Sequence, residues 1–155
     1  MMDSLFKLLI LVLQPLLDYA NSWANTVISL MAQATFTEDV KGAKQQSGSA
    51  VIQVINRAKQ PIKIQEVGII MKDGQRVANK WLLNKDEKLP RTVEGRDNTY
   101  FSVNRDVLLK MGLDAIDAIK YVYLTDSVLD EYKSRVPKIN KMQIAASLQN
   151  KFIIG

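Results

Sequence analysis

Cysteine and histidine are both missing from this 155-residue chain. Without cysteine there is no disulfide framework, iron–sulfur cluster or thiol nucleophile. Without histidine there is no Ser-His-Asp triad, no HExxH zinc site and no imidazole base. The Gly-rich phosphate loops, G-x-G-x-x-G and G-x-x-x-x-G-K-[ST], do not occur, nor does a D-x-[DN]-x-[DN]-G calcium loop. No run of five like charges is present, and there is no internal repeat or low-complexity tract.

The residues that do occur are those of a folded chain, 47% hydrophobic and 24% charged. Charge is uneven but weak. Residues 1–48 hold three bases and four acids, residues 49–136 fifteen bases and twelve acids, and residues 137–155 three lysines and no acid, for +5 in total.

The first third has helical rhythm. Leu5, Leu9, Val12, Leu16, Tyr19, Trp23, Val27 and Leu30 recur every three or four residues, with Lys7, Asp18, Asn25 and Ser29 between them. That period predicts an amphipathic helical arm over residues 1–40, kinked at Pro15, with these eight side chains as its interaction stripe. A signal-peptide reading would use Leu8–Leu17 as its apolar region. A single membrane span is a poor fit, because the uninterrupted apolar part covers only ~20 Å of a ~30 Å hydrocarbon core. Eight large side chains at ~1.5–3 kcal/mol each demand burial, either against the chain's own sandwich or, as expected here, by docking on neighbouring subunits.

Residues 41–48 are small and polar and predict a hinge. The rhythm then turns to strands. Ala50–Ile55 is a β-branched run, and Pro61–Met71 is a second strand whose alternation slips at Gln65-Glu66, which predicts a bulge. Lys72-Asp73-Gly74-Gln75 predicts a hairpin turn into a strand over Arg76–Leu83. Shorter strands follow up to Val93, over Thr99–Val103, over Ala118–Thr125 and over Glu131–Val136. Asn104 predicts the N-cap of a helix Arg105–Met111 ending at Gly112, and a last helix follows Pro137. Short strands with turn signals between them predict an antiparallel sandwich over residues 49–136, with residues 137–155 as a C-terminal helix and tail.

The stretch Val51–Arg135 carries N-R-x-x-x-P-I from Asn56, V-G ahead of a D-G turn, L-P ahead of E-G, and Y-V-x-x-x-D-S from Tyr121. In these it resembles a loose group of small bacterial and phage proteins, in which a hydrophobic N-terminal helix precedes one immunoglobulin-like β-sandwich. The resemblance implies a mostly β fold of that kind. Its motifs are turn and core residues, so it implies no catalytic position.

Few catalytic options remain. Asp114 with Asp117, and Asp126 with Asp130 and Glu131, are the carboxylate groupings available for acid–base work or a hard cation. Acids at turns more commonly cap chain reversals, so no catalytic, cofactor or metal residue is assigned. Arg57, Lys59 and Lys63 flank one turn, and Tyr100, Phe101, Tyr121 and Tyr123 could stack bases, but the body of the chain interleaves acids with its bases, and specific nucleic-acid binding is not expected. The expectation is a non-enzymatic structural or interaction subunit of a larger assembly such as a phage virion, with protein partners or copies of itself and membrane contact through the arm. The alternative is a membrane-anchored module displaying its sandwich at the cell envelope.

Overall fold

A computed structural model describes residues 25–38 and 44–149. Its chain order is β1 (Thr26–Glu38), β2 (Lys44–Asn56), β3 (Ile62–Met71), β4 (Arg76–Ala78), α1 (Asn79–Leu82), β5 (Arg91–Val93), β6 (Asp97–Ser102), α2 (Arg105–Asp117), β7 (Ile119–Asp126), β8 (Glu131–Arg135) and α3 (Lys138–Leu148). Every strand pair is antiparallel. Sheet A has the order β1-β2-β6, and sheet B the order β4-β3-β7-β8 with β5 also on β3. The architecture is mostly β and sandwich-like, with a few helices.

The core lies between the sheets because alternate residues of each point the same way. Sheet A supplies Ile28, Leu30, Ile52, Val54 and Phe101, and sheet B supplies Ile64, Val67, Ile69, Val122 and Leu124. Leu108 and Ile116 of α2 and Ile144 and Leu148 of α3 complete it.

Sheet B follows its sequence signals. The register of β3 against β7 shifts between Ile64 and Glu66, the bulge expected at Gln65-Glu66. Gly74, at φ +89°, turns β3 into β4. The partner strand stops early, however. Only Arg76–Ala78 is extended, and Asn79–Leu82 coils into a helical turn that buries Leu82. Asn104 caps α2 as expected, its side chain accepting the Asp106 amide. Gly112, at φ 81° and ψ 169°, ends that first helical stretch as expected, and a second stretch follows it to Asp117.

The arm is corrected over its second half. Thr26–Glu38 is strand and not helix, and it pairs residue by residue with β2, from Thr26 with Asn56 out to Glu38 with Lys44. The segment TVISLM suits either period: Val27 and Leu30 are three apart, yet Ile28 and Leu30 also alternate with Val27 and Ser29. β-branched Thr26, Val27 and Ile28, together with a thirteen-residue partner, decide for strand. The hinge is corrected in the same way, since Lys44–Gly48 belongs to β2. Leu5, Leu9, Val12, Leu16, Tyr19 and Trp23 lie outside the described residues.

Candidate functional site

On a strand, Val27 and Leu30 cannot share a face, because odd and even residues point to opposite sides. Leu30 is core, while Val27 stands half-buried on the outer face of sheet A. Register places Val27 beside Ile55, Ser29 beside Gln53 and Tyr100, and Met31 beside Val51. On β1 and β2 this outer face is therefore apolar in two rows, which end on β6 at Asn98 and Ser102, and polar in the row between, where the Gln53 amide donates to the Tyr100 hydroxyl at 3.0 Å.

The edge of that sheet is more distinctive. The Arg57 amide donates to the Asn25 carbonyl, so odd residues of β1 aim their main-chain groups at β2. Even residues aim theirs the other way. There the Asn140 side chain of α3 donates to the Leu30 carbonyl at 2.9 Å. Beyond Leu30 the main-chain groups of Ala32, Ala34, Phe36 and Glu38 run along an edge that no strand covers among the described residues. β6 pairs with β2 only over Val51–Asn56, so among the described residues the sheet narrows to a two-stranded ribbon. Its last four pairs, Thr35 with Ser47 to Glu38 with Lys44, add ~13 Å at about 3.4 Å per residue.

The root of this ribbon is braced. The Arg105 guanidinium donates to the Gly48 carbonyl and, at 3.1 Å, to the Leu148 carbonyl, tying β2 to the end of α3. The Ser49 hydroxyl donates to the Val103 carbonyl at 2.7 Å.

The outer face of sheet B is closed by comparison. Tyr123 points outward yet is only 1% exposed, because Gly68 on β3 leaves room for its ring. A methyl at Gly68 would sit 2.8 Å from the Tyr123 ring and collide with the Val77 carbonyl. Arg76 lies over the ring, 4.9 Å from its centre, and bridges to Glu131 through its two terminal guanidinium nitrogens. Burial, then the nearby Glu66 carboxylate, raise the Tyr123 phenol above its ordinary value, while the hydrogen bond from Arg76 holds Glu131 below its own. Tyr121, two residues earlier, shifts the other way: its hydrogen bond with Arg135, then the charge of Lys120, lower it.

Of the acids singled out in the sequence, Asp126 and Glu131 do structural work. Asp126 accepts the amides of Val128 and Asp130 at 3.0 and 2.9 Å and so builds its turn, while Glu131 is engaged by Arg76. Asp114 and Asp117 lie in the last turn of α2. Among the described residues no three acids gather as metal ligands. Of the aromatic candidates, Phe101 is buried under the Arg91 guanidinium, whereas Tyr100 is half exposed. Sequence reasoning missed the open β1 edge, although alternation in Thr26–Leu30 was a signal for it. Trp81, Val128 and Leu129 are also strongly exposed, the last at φ +66° on the tip of the Asp126 turn.

No family model matches the chain, and no curated protein matches it. Among solved structures, an X-ray structure of the Northeast Structural Genomics Consortium target SoR45 aligns at 7% identity and a TM-score of 0.34, covering 74% of this chain and 83% of that one. Among the described residues no helix is long and apolar enough to cross a membrane.

Proposed function

We propose that this protein is a non-enzymatic interaction subunit that builds a larger assembly from copies of itself, adding strands across the open edge of β1. The sandwich, which we read as immunoglobulin-like, is the rigid body that carries this edge. The observation behind the proposal is the run of outward main-chain groups from Ala32 to Glu38 on a ribbon that is two strands wide among the described residues. A two-stranded ribbon is marginal in water by itself, and an exposed edge is a template for a further strand. Antiparallel pairing of β1 with β1 of a second copy would satisfy both edges at once, the self-complementary contact a two-fold axis requires. It would also extend the apolar rows of Val27 with Ile55 and Met31 with Val51 into a continuous surface.

The test is Ala34→Pro in the full chain. The Ala34 amide faces outward, so proline removes a donor from the edge while leaving the ladder to β2 intact. Sedimentation should show self-association of the wild type and at least a tenfold weaker association of the variant, with unchanged circular dichroism. A wild type that stays monomeric at its highest soluble concentration, or a variant that assembles as well as wild type, overturns the reading.

A further inference from the structure

A second surface, away from the β1 edge, has the composition of a ligand site. Where the β3–β4 turn meets the start of β7 and the end of β8, a concave pocket of about 360 Å³ is lined by Lys72, Ile119, Lys120, Arg135, Val136 and Lys141. Four of these six are cationic and none is an acid. Concave sites with converging polar groups are where small ligands bind, and here the groups are of one sign.

The cations come from separate elements, and the ammonium of Lys141 is fixed by hydrogen bonds. Lys72 follows β3, and its amide donates to the Ala118 carbonyl at 2.8 Å. Lys120 sits where the β3–β7 register shifts, between the pairs of Ile70 and Met71. Arg135 ends β8 opposite Tyr121. Lys141, from the first turn of α3, is only 9% exposed, and its ammonium donates to the Asp117 and Ile119 carbonyls at 2.7 and 3.3 Å. Those neutral oxygens use two of its three hydrogens and leave its charge without a carboxylate. Nearby acids do not supply one. Asp117 offers Lys141 its main-chain oxygen, and the Asp73 carboxylate beside Lys72 accepts the Gln75 amide. The only ion pairs among the described residues, Arg76 with Glu131 and Arg91 with Glu87, involve none of the four.

Arg135 and Lys120 of this cluster also act on a neighbour, Tyr121, first through the hydrogen bond from Arg135. Lys120 and Lys133 lie 5.3 and 4.8 Å from the centre of the Tyr121 ring, and Arg135, Lys120 and Lys133 together lower its phenol. α3 also begins directly after Val136 with no side-chain cap and no acid in its first turn, so nothing there offsets the positive charge.

We infer that this pocket binds a small multiply charged oxyanion of the phosphate class, a pyrophosphate or a phosphorylated small molecule. Like charges held together in a concave site repel, and an oxyanion relieves that repulsion while offering several acceptors to a guanidinium fork and three ammonium groups. The site is independent of the β1 edge and stands or falls separately from it.

Calorimetric titration of the full chain with inorganic pyrophosphate at low salt tests this. Lys120→Gln with Arg135→Gln removes two lining charges without touching buried Lys141. Lys59→Gln with Lys63→Gln makes the same change in net charge at the opposite end of β3 and serves as control. The expected result is saturable one-to-one binding, weakened at least tenfold in the pocket variant and less than twofold in the control, with amide shifts at Lys72, Lys120 and Val136. Equal weakening in both variants, or no saturable binding, overturns it. A phosphate on a lipid would present the same chemistry, so vesicles containing phosphatidylglycerol form a second arm. Vesicle binding that pyrophosphate displaces supports the pocket with a lipid source, and pyrophosphate binding without vesicle binding supports it with a soluble one. Vesicle binding that ignores both pyrophosphate and the pocket variant counts against it.

Discussion

Sheet B and the β1–β2 ribbon are made from the same kinds of strand and end in opposite conditions. In sheet B the inner face is core, and on the outer face Tyr123 is sealed between Gly68 and the Arg76–Glu131 bridge. The ribbon has thirteen paired residues, yet β6 accompanies it over only six, and its outer edge past Leu30 has no strand beside it among the described residues. Strand content alone therefore does not say where a β protein is stable. Stability accumulates where both faces are covered, and capacity for interaction remains where a long edge runs on past its neighbours.

The largest expected effect breaks this contrast at its closed end. Gly68→Val would drive a branched side chain into the Val77 carbonyl and the Tyr123 ring. Overpacking of this kind costs about 3 kcal/mol, read as a lower urea midpoint. Gln33→Thr, at an exposed position where the ribbon begins, should stay within about 0.5 kcal/mol. Similar losses at the two positions would mean that the ribbon is packed as tightly as sheet B.

A smaller effect probes the junction between the two regions. Arg105→Ala removes the guanidinium that joins the Gly48 and Leu148 carbonyls. Hydrogen bonds from a charged group contribute ~1.5–3 kcal/mol, so a loss in that range is expected. Hydrogen exchange should accelerate first in the amides of Gly48, Ser49 and Ala50, while β3 and β7 keep their protection. Uniform acceleration would show that the ribbon and the sandwich open as one unit.

How much of this was readable in the sequence follows the same division. Sheet B was largely legible because its signals are local. Asp73-Gly74 marks a turn by its φ requirement, the slip at Gln65-Glu66 marks the bulge, and Asn104 marks a cap by its side-chain acceptor. The ribbon was not, because its residues are ambiguous. Val27, Leu30 and Ala34 fit a helical stripe, and Gln45–Gly48 reads as linker until a strand is placed opposite. Asn79–Leu82 left its strand pattern because burying Leu82 outweighed continuing β4. The basic pocket was illegible for a different reason, since Lys72, Lys120, Arg135 and Lys141 are spread over seventy residues that only the fold brings together.

The smallest expected effect concerns the bridge over Tyr123. Glu131 has its pKa lowered from the ordinary 4.5, first by the hydrogen bond from Arg76, against a smaller opposing cost of burial. A carboxylate with a depressed folded-state pKa binds fewer protons folded than unfolded near that value. Its contribution is therefore complete above about pH 4.5 and is lost as pH falls through the depressed value. Both partners are partly exposed, so solvent screening keeps the contribution below about 1 kcal/mol. Glu131→Gln should lower stability by that small amount at neutral pH, and the difference from wild type should vanish in acid. High salt should shrink it as well. A difference that persisted in acid would assign the cover of Tyr123 to the packed stems of Arg76 and Glu131 and not to their charges, making the seal on sheet B as apolar as its core.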